Sequence, residues 1–196
     1  MEDSMTYGWT LKTALLAGAI GVTLPAHAAI TTLGGGLGRE CYVAAELKRE
    51  FRSSIDLCTR ALMEESLSRR DRAATLVNRG IIYMHERDLE RAIADYRSAI
   101  RSDPNLAEAH VNYGIALLHK GGADRDAVAA LTKGLEMKPS RPEVAFYTRA
   151  VAHELIGNVR EAYEDYQAAA AAKPEWKEPA EQLKRFSTER RETQRG

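Results

Sequence analysis

The chain reads as an all-α fold: antiparallel helix pairs stacked into a solenoid, with a short capping helix at the C-terminal end. Three observations lead there. Apolar residues recur three or four apart, and no stretch alternates in the manner of a strand. One pattern of small and large residues returns three times along the chain, and a proline ends each unit. Turn residues (Arg87-Asp88, Gly121-Gly122 and Gly157-Asn158) fall near the middle of each unit.

The pattern is specific. With Ala73 as position 1, Leu76, Gly80, Tyr83, Ala92, Tyr96, Ala99 and Pro104 take positions 4, 8, 11, 20, 24, 27 and 32. Counted from Glu143, Phe146, Ala150, His153, Ala162, Tyr166, Ala169 and Pro174 take the same places. Counted from Ala107, His110, Gly114, Leu117, Ala127, Leu131, Gly134 and Pro139 match after one extra residue at the Gly121-Gly122 turn. Positions 4, 8 and 11 share one face of a first helix, and 20, 24 and 27 share one face of a second. Small residues where these faces cross let the helices approach, and large ones fill the gaps. A single pair cannot bury both faces, so the pairs must stack.

Over residues 73–174 this pattern resembles the tetratricopeptide repeat, which implies a right-handed superhelix and a role in holding other proteins. A degenerate unit precedes the three: Ser54, Ile55, Cys58, Ala61 and Leu62 align with Ala92, Ile93, Tyr96, Ala99 and Ile100. Its first helix is expected over 40–47, with Tyr42 where a small residue belongs, and its connection over 63–71 is longer than the family period. The expected organisation is a leader over 1–28, a flexible Gly-rich linker over 29–39 and the degenerate pair over 40–67. Three repeats over 68–174, a capping helix over 175–187 with Trp176 packed beneath it, and a disordered tail over 188–196 complete it. Ser68 with Asp71 is expected to cap the second unit, Asp103 before Pro104 the third, and Ser140 with Glu143 to form a capping box for the fourth.

Superposing the units pairs particular residues. Position 7 is Arg79 or Arg149 and position 23 is Asp95 or Asp165, while Tyr113 and Ala130 replace both in the third unit. Antiparallel helices bring these positions together, which predicts ion pairs Arg79–Asp95 and Arg149–Asp165. In the first unit Cys41 takes position 7 and Cys58 position 24. Facing Cα atoms at ~3.5–5.5 Å overlap the disulfide range, so a structural disulfide is expected, with two free thiols as the alternative.

The cysteine reading depends on compartment. Lys12 precedes an apolar run over 14–24, Pro25 ends it, and Ala26-His27-Ala28 supplies a small-x-small cleavage triplet. That run is too short for a spanning helix of roughly 20 residues, so a cleaved leader and export to a bacterial periplasm are expected, with an uncleaved anchor as the other reading. Glu2 and Asp3 suit a leader poorly, which leaves initiation at Met1 or Met5 open.

Lysine plus arginine equals aspartate plus glutamate, 28 of each. No overall field favours nucleic acid, and no stable membrane insertion is expected once the leader is gone. The basic residues near the C-terminus fit a frayed end as well as a binding tail. No nucleophile elbow, phosphate loop or zinc-protease helix occurs, so no catalytic residue, cofactor or metal is expected. His85 and His119 share position 13 but lack further ligands, and Gly34-Gly35-Gly36 reads as linker.

The resemblance implies that the concave wall of the first helices holds a peptide or protein. Here that wall is Val77, Asn78, Ile81 and His85, then Val111, Asn112, Ile115 and His119, then Tyr147, Thr148 and Val151. Asn78 and Asn112 would meet a partner's backbone through donor and acceptor alike. A lysine clamp for a terminal carboxylate, used by one subclass of the family, is missing: Gly36, Glu108 and Val144 stand at position 2. The expected function is a non-catalytic interaction scaffold, and the alternative is a structural subunit of an envelope complex docking by its convex face or first repeat.

Overall fold

A computed structural model describes residues 7–11, 36–47 and 51–190 of the chain. Among these the order is β1 (Tyr7–Leu11), α1 (Leu37–Glu46), α2 (Phe51–Glu64), α3 (Arg69–His85), α4 (Leu89–Ser102), α5 (Ala107–Lys120), α6 (Asp124–Glu136), α7 (Pro142–Leu155), α8 (Val159–Ala172), α9 (Glu178–Leu183) and β2 (Phe186–Arg190). The body is an all-α solenoid. Helices pair as α1/α2, α3/α4, α5/α6 and α7/α8, and each second helix packs on the first helix of the next pair. First helices also stack directly, α1 on α3, α3 on α5 and α5 on α7.

Each crossing is built around a small residue. A methyl added at Gly80 would stand 2.5 Å from the Tyr96 ring, and one at Gly114 would stand 2.6 Å from Leu131. Ala150 and Tyr166 are buried at the same places in the fourth unit. The first unit differs. Tyr42 at position 8 is only half-buried, and α1 turns Gly38, Cys41, Ala44 and Ala45 inward instead. Helix α1 begins at Leu37, inside the stretch expected to be linker, because Glu65 caps it. The Glu65 carboxylate accepts from the backbone N–H groups of Leu37 at 2.6 Å and Gly38 at 3.0 Å, which satisfies two orphan donors at a positive helix end. The long connection after α2 supplies that cap.

Guanidinium forks tie the seams. Arg79 donates from Nε and Nη2 to both oxygens of Asp95 at 2.8 Å, and Arg149 does the same to Asp165 at 2.7 Å. Each keeps a third arm that reaches the preceding unit: Arg79 to Thr59 Oγ1 at 2.9 Å, Arg149 to Thr132 Oγ1 at 3.0 Å. In the third unit the polarity reverses, and Arg97 of α4 donates to the Tyr113 hydroxyl at 3.0 Å. One contact therefore clamps a hairpin and ties it to its neighbour.

Caps depart from expectation in two places. Ser68 accepts from the Asp71 N–H at 3.1 Å and Asp88 from the Arg91 N–H at 3.1 Å. Asp103 does not cap α5: Pro104 and Asn105 form a turn, the helix starts at Ala107 with Leu106 as its N-cap, and Asp103 accepts from Asn105 N–H instead. Nor do Ser140 and Glu143 form a capping box. Helix α7 starts one residue later than that pairing requires, at Pro142, so Arg141 is the N-cap, its Nε donates to Glu143 at 3.1 Å, and the Ser140 N–H donates to Glu108.

The C-terminal end is shorter in helix and richer in strand than expected. Helix α9 covers only Glu178–Leu183, and β2 continues into the stretch expected to be tail. It pairs antiparallel with β1, Tyr7 opposite Arg190 and Leu11 opposite Phe186. Tyr7, Trp9 and Leu11 alternate with Gly8 and Thr10, an aromatic-rich period-two pattern suited to a strand. It falls within the predicted leader, whose residues 1–6 and 12–28 lie outside the described residues, as do linker residues 29–35 and tail residues 191–196. Trp176 packs on Tyr147 with ring centroids 4.8 Å apart. Arg185 binds Glu154 at 2.6 Å, and Glu154 accepts the Tyr166 hydroxyl at 2.7 Å.

Arg79→Lys and Arg149→Lys keep the charge but lose the fork. Each is expected to lower stability by about 1–2 kcal/mol in urea unfolding, whereas Arg160→Lys, at an exposed pair with Glu164, changes it by less than ~0.5 kcal/mol.

Candidate functional site

The expected binding wall lies on the first helices α3, α5 and α7, and most of it is closed. Val77, Asn78, Ile81, Val111, Asn112, Ile115, Tyr147, Thr148 and Val151 are all buried. His85 is half-buried and His119 exposed. Direct stacking of the first helices accounts for much of this closure. Val77 and Ile81 share a core with Ala109 and Ala116 of α5, and Val111 and Ile115 share one with Val144 and Ala145 of α7. Tyr147 and Val151 sit in the cluster containing Trp176 and Leu183 of the cap. The expectation of an open wall is therefore corrected: its middle positions serve the seam between repeats, and the ends of α5 and α7, at His119 and Leu155, are exposed.

Asn112 stands out within that wall. Its Nδ2 donates to the Glu108 carbonyl one turn back at 2.9 Å, which fixes the amide plane. Its Oδ1 is buried and has no hydrogen-bond partner among the described residues. A buried acceptor left unpaired costs about 1–3 kcal/mol. Thr148, one unit on, donates its hydroxyl to the Val144 carbonyl at 2.8 Å.

The cysteines lie in the first unit, away from this wall. The structure brings the sulfurs of Cys41 and Cys58 to 2.11 Å, with Cα atoms 4.9 Å apart. Both are fully buried beside Ala45 and Ile82. No group of three or more metal-ligating side chains occurs among the described residues. His110 bonds the Pro104 carbonyl at 2.9 Å, and His153 is half-buried near Asn158 and Asp165.

Position 25 escaped the reading of the sequence. Thr59, Arg97 and Thr132 all occupy it and all bond the residue at position 7 of the next unit. The signal was available, because a polar side chain returns there in units whose neighbours at 24 and 27 are apolar or small. The tie runs from one hairpin to the next, whereas the repeat register pairs positions 7 and 23 within a hairpin. The Tyr166–Glu154–Arg185 network was also missed; burial first, and then the Glu154 carboxylate, push the Tyr166 hydroxyl far above its usual range.

Two measurements follow from these surroundings. Removing the sulfur link by Cys41→Ser with Cys58→Ser is expected to lower stability by about 3 kcal/mol, the loop-closure value for some sixteen enclosed residues; thermal melting with and without reductant reads it. Burial holds the His153 imidazole below its ordinary pKa despite Asp165 nearby. The unfolded chain thus binds its proton first, and His153 stabilises the fold above the ordinary histidine range, an effect lost as pH falls through it. His153→Gln is expected to flatten the decline of urea-unfolding free energy between about pH 7 and pH 5.

Comparison with known proteins places these features. Residues 80–121 match the family model for the TPR repeat. Human Superkiller complex protein 3 is 28% identical over 100 residues, which is 51% of this chain and 6% of that protein. The chain thus spans a small fraction of the curated relative it matches. The crystal structure of MamA superposes with a TM-score of 0.63 at 19% identity, over 77% of this chain and 82% of that one. The first TPR domain of Spaghetti (RPAP3), solved bound to an HSP90 peptide, superposes with a TM-score of 0.55 at 19% identity, over 59% of this chain and 90% of that one.

Proposed function

We propose that the chain is a tetratricopeptide-repeat protein acting as a non-catalytic scaffold that holds a peptide or protein partner along the wall of α3, α5 and α7. Export to a bacterial periplasm is part of the same reading, with the leader over 1–28 removed, and with it the β1 strand that pairs with β2, and with Cys41–Cys58 maintained as a structural disulfide. The apolar run before Ala26-His27-Ala28 supports the first part. Two buried cysteines within bonding distance, in a chain with no others, support the second.

The observation that carries the binding reading is the Asn112 carbonyl. A side-chain acceptor fixed by its own Nδ2 bond and left without a donor suits the backbone N–H of an incoming segment, and the partner would recover the cost of its burial. Asn112 itself is buried in the seam, so a segment would reach it only once that seam opens; the ends of α5 and α7 at His119 and Leu155 are already exposed. The Spaghetti (RPAP3) domain, solved with a peptide, supports the kind of ligand without identifying the one used here.

Asn112→Ala separates binding from folding. It removes the unpaired acceptor and substitutes a better helix former, so thermal stability is expected to stay the same or rise. Capture of a partner by cross-linking in intact cells, followed by pull-down, is expected to fall at least about tenfold. A variant that unfolds while the remaining folded fraction still captures its partner would show Asn112 to be structural and end this reading.

A further inference from the structure

A second surface lies on the side of the second helices, where α2, α3 and α4 enclose a cleft of about 520 Å³. Its apolar part is Leu62 and Leu76, both buried, together with Met63, which is 81% exposed. An unbranched apolar side chain left so bare beside a cavity is available to a partner. The charge is one-sided. Arg79 is spent on Asp95 and Thr59, and among the described residues Asp95 is the one acid lining the cleft. Arg72 and Arg101 are therefore two cations in excess, and both are exposed. Each guanidinium makes one hydrogen bond among the described residues, Arg72 to the Leu62 carbonyl at 3.0 Å and Arg101 to Ser98 Oγ at 2.8 Å, out of the five N–H donors it carries.

We propose that this cleft docks an acidic peptide segment of a partner protein, with a carboxylate on the forks of Arg72 and Arg101 and an adjacent apolar side chain against Met63, Leu62 and Leu76. Bidentate carboxylate recognition needs the planar fork that arginine provides. The apolar lining separates this ligand from nucleic acid, whose phosphates would leave Met63 unused. The site is independent of the Asn112 wall, since neither shares a residue with the other.

The probe is a fluorescein-labelled peptide of alternating aspartate and leucine, titrated into the full chain and read by anisotropy. Its lysine–leucine counterpart and a labelled single-stranded oligonucleotide serve as controls. Saturable binding of the acidic peptide alone, weakening with added salt, is expected. Arg101→Glu is expected to weaken it about tenfold and Met63→Ser to weaken it further. Both sites are exposed, so neither change threatens the fold, and circular dichroism checks this. Asn112→Ala is expected to leave the affinity unchanged. Equal binding by the oligonucleotide, unchanged affinity in Arg101→Glu and Met63→Ser, or no binding at all would each overturn the proposal.

Discussion

Everything in this solenoid depends on how closely two antiparallel helices approach at one crossing. A first helix offers a residue with almost no side chain, and the second helix drives a ring or a leucine into that place. Gly80 receives Tyr96 and Gly114 receives Leu131, in both cases so closely that a single methyl would collide. This contact sets the separation within each hairpin, and through it the separation between one hairpin and the next. Close packing leaves no slack to absorb an error there. The first unit, with Tyr42 where the small residue belongs, cannot repeat the arrangement. It turns another face inward and brings Cys41 and Cys58 together at the corresponding crossing.

Stacking is specified by a different device. Dispersion and apolar burial between hairpins are non-directional and would tolerate sliding by part of a turn. The guanidinium of Arg79 or Arg149 does not: two arms close its own hairpin and the third requires a hydroxyl at one point on the preceding unit. In the third unit Arg97 and Tyr113 make the same tie with donor and acceptor exchanged. Partial burial makes these forks more directional than surface pairs such as Arg60–Glu64. The same tight stacking closes the middle of the wall on the first helices, Asn112 included, and leaves His119 and Leu155 at the helix ends exposed.

Much of this was legible in the residues. Helix pairing, the small-residue seam and the Arg–Asp forks are local consequences of spacing on a helix, so periodicity carries them. What the spacing does not carry is whether a helix face left over after pairing meets solvent or another repeat. Val77, Ile81, Val111 and Ile115 look the same in sequence either way, and the packing of α3 on α5 and of α5 on α7 decided the matter. The same holds for Glu65, whose capping of α1 crosses 28 residues of chain. The strand pair escaped for a simpler reason. The pattern of Tyr7, Trp9 and Leu11 covers only five residues inside the segment expected to be leader, and its partner lies at the opposite end of the sequence.

The central claim, that one small-to-large contact per hairpin sets the whole array, is tested most directly by a double-mutant cycle on Gly80→Ala and Tyr96→Leu in urea unfolding. Leu131 already fills the equivalent place opposite Gly114, so a leucine at 96 makes room for the added methyl. The account predicts that the double variant is more stable than the sum of the single effects by about 1–2 kcal/mol. Additive single effects would contradict it, because two residues that do not share a crossing have no reason to compensate each other.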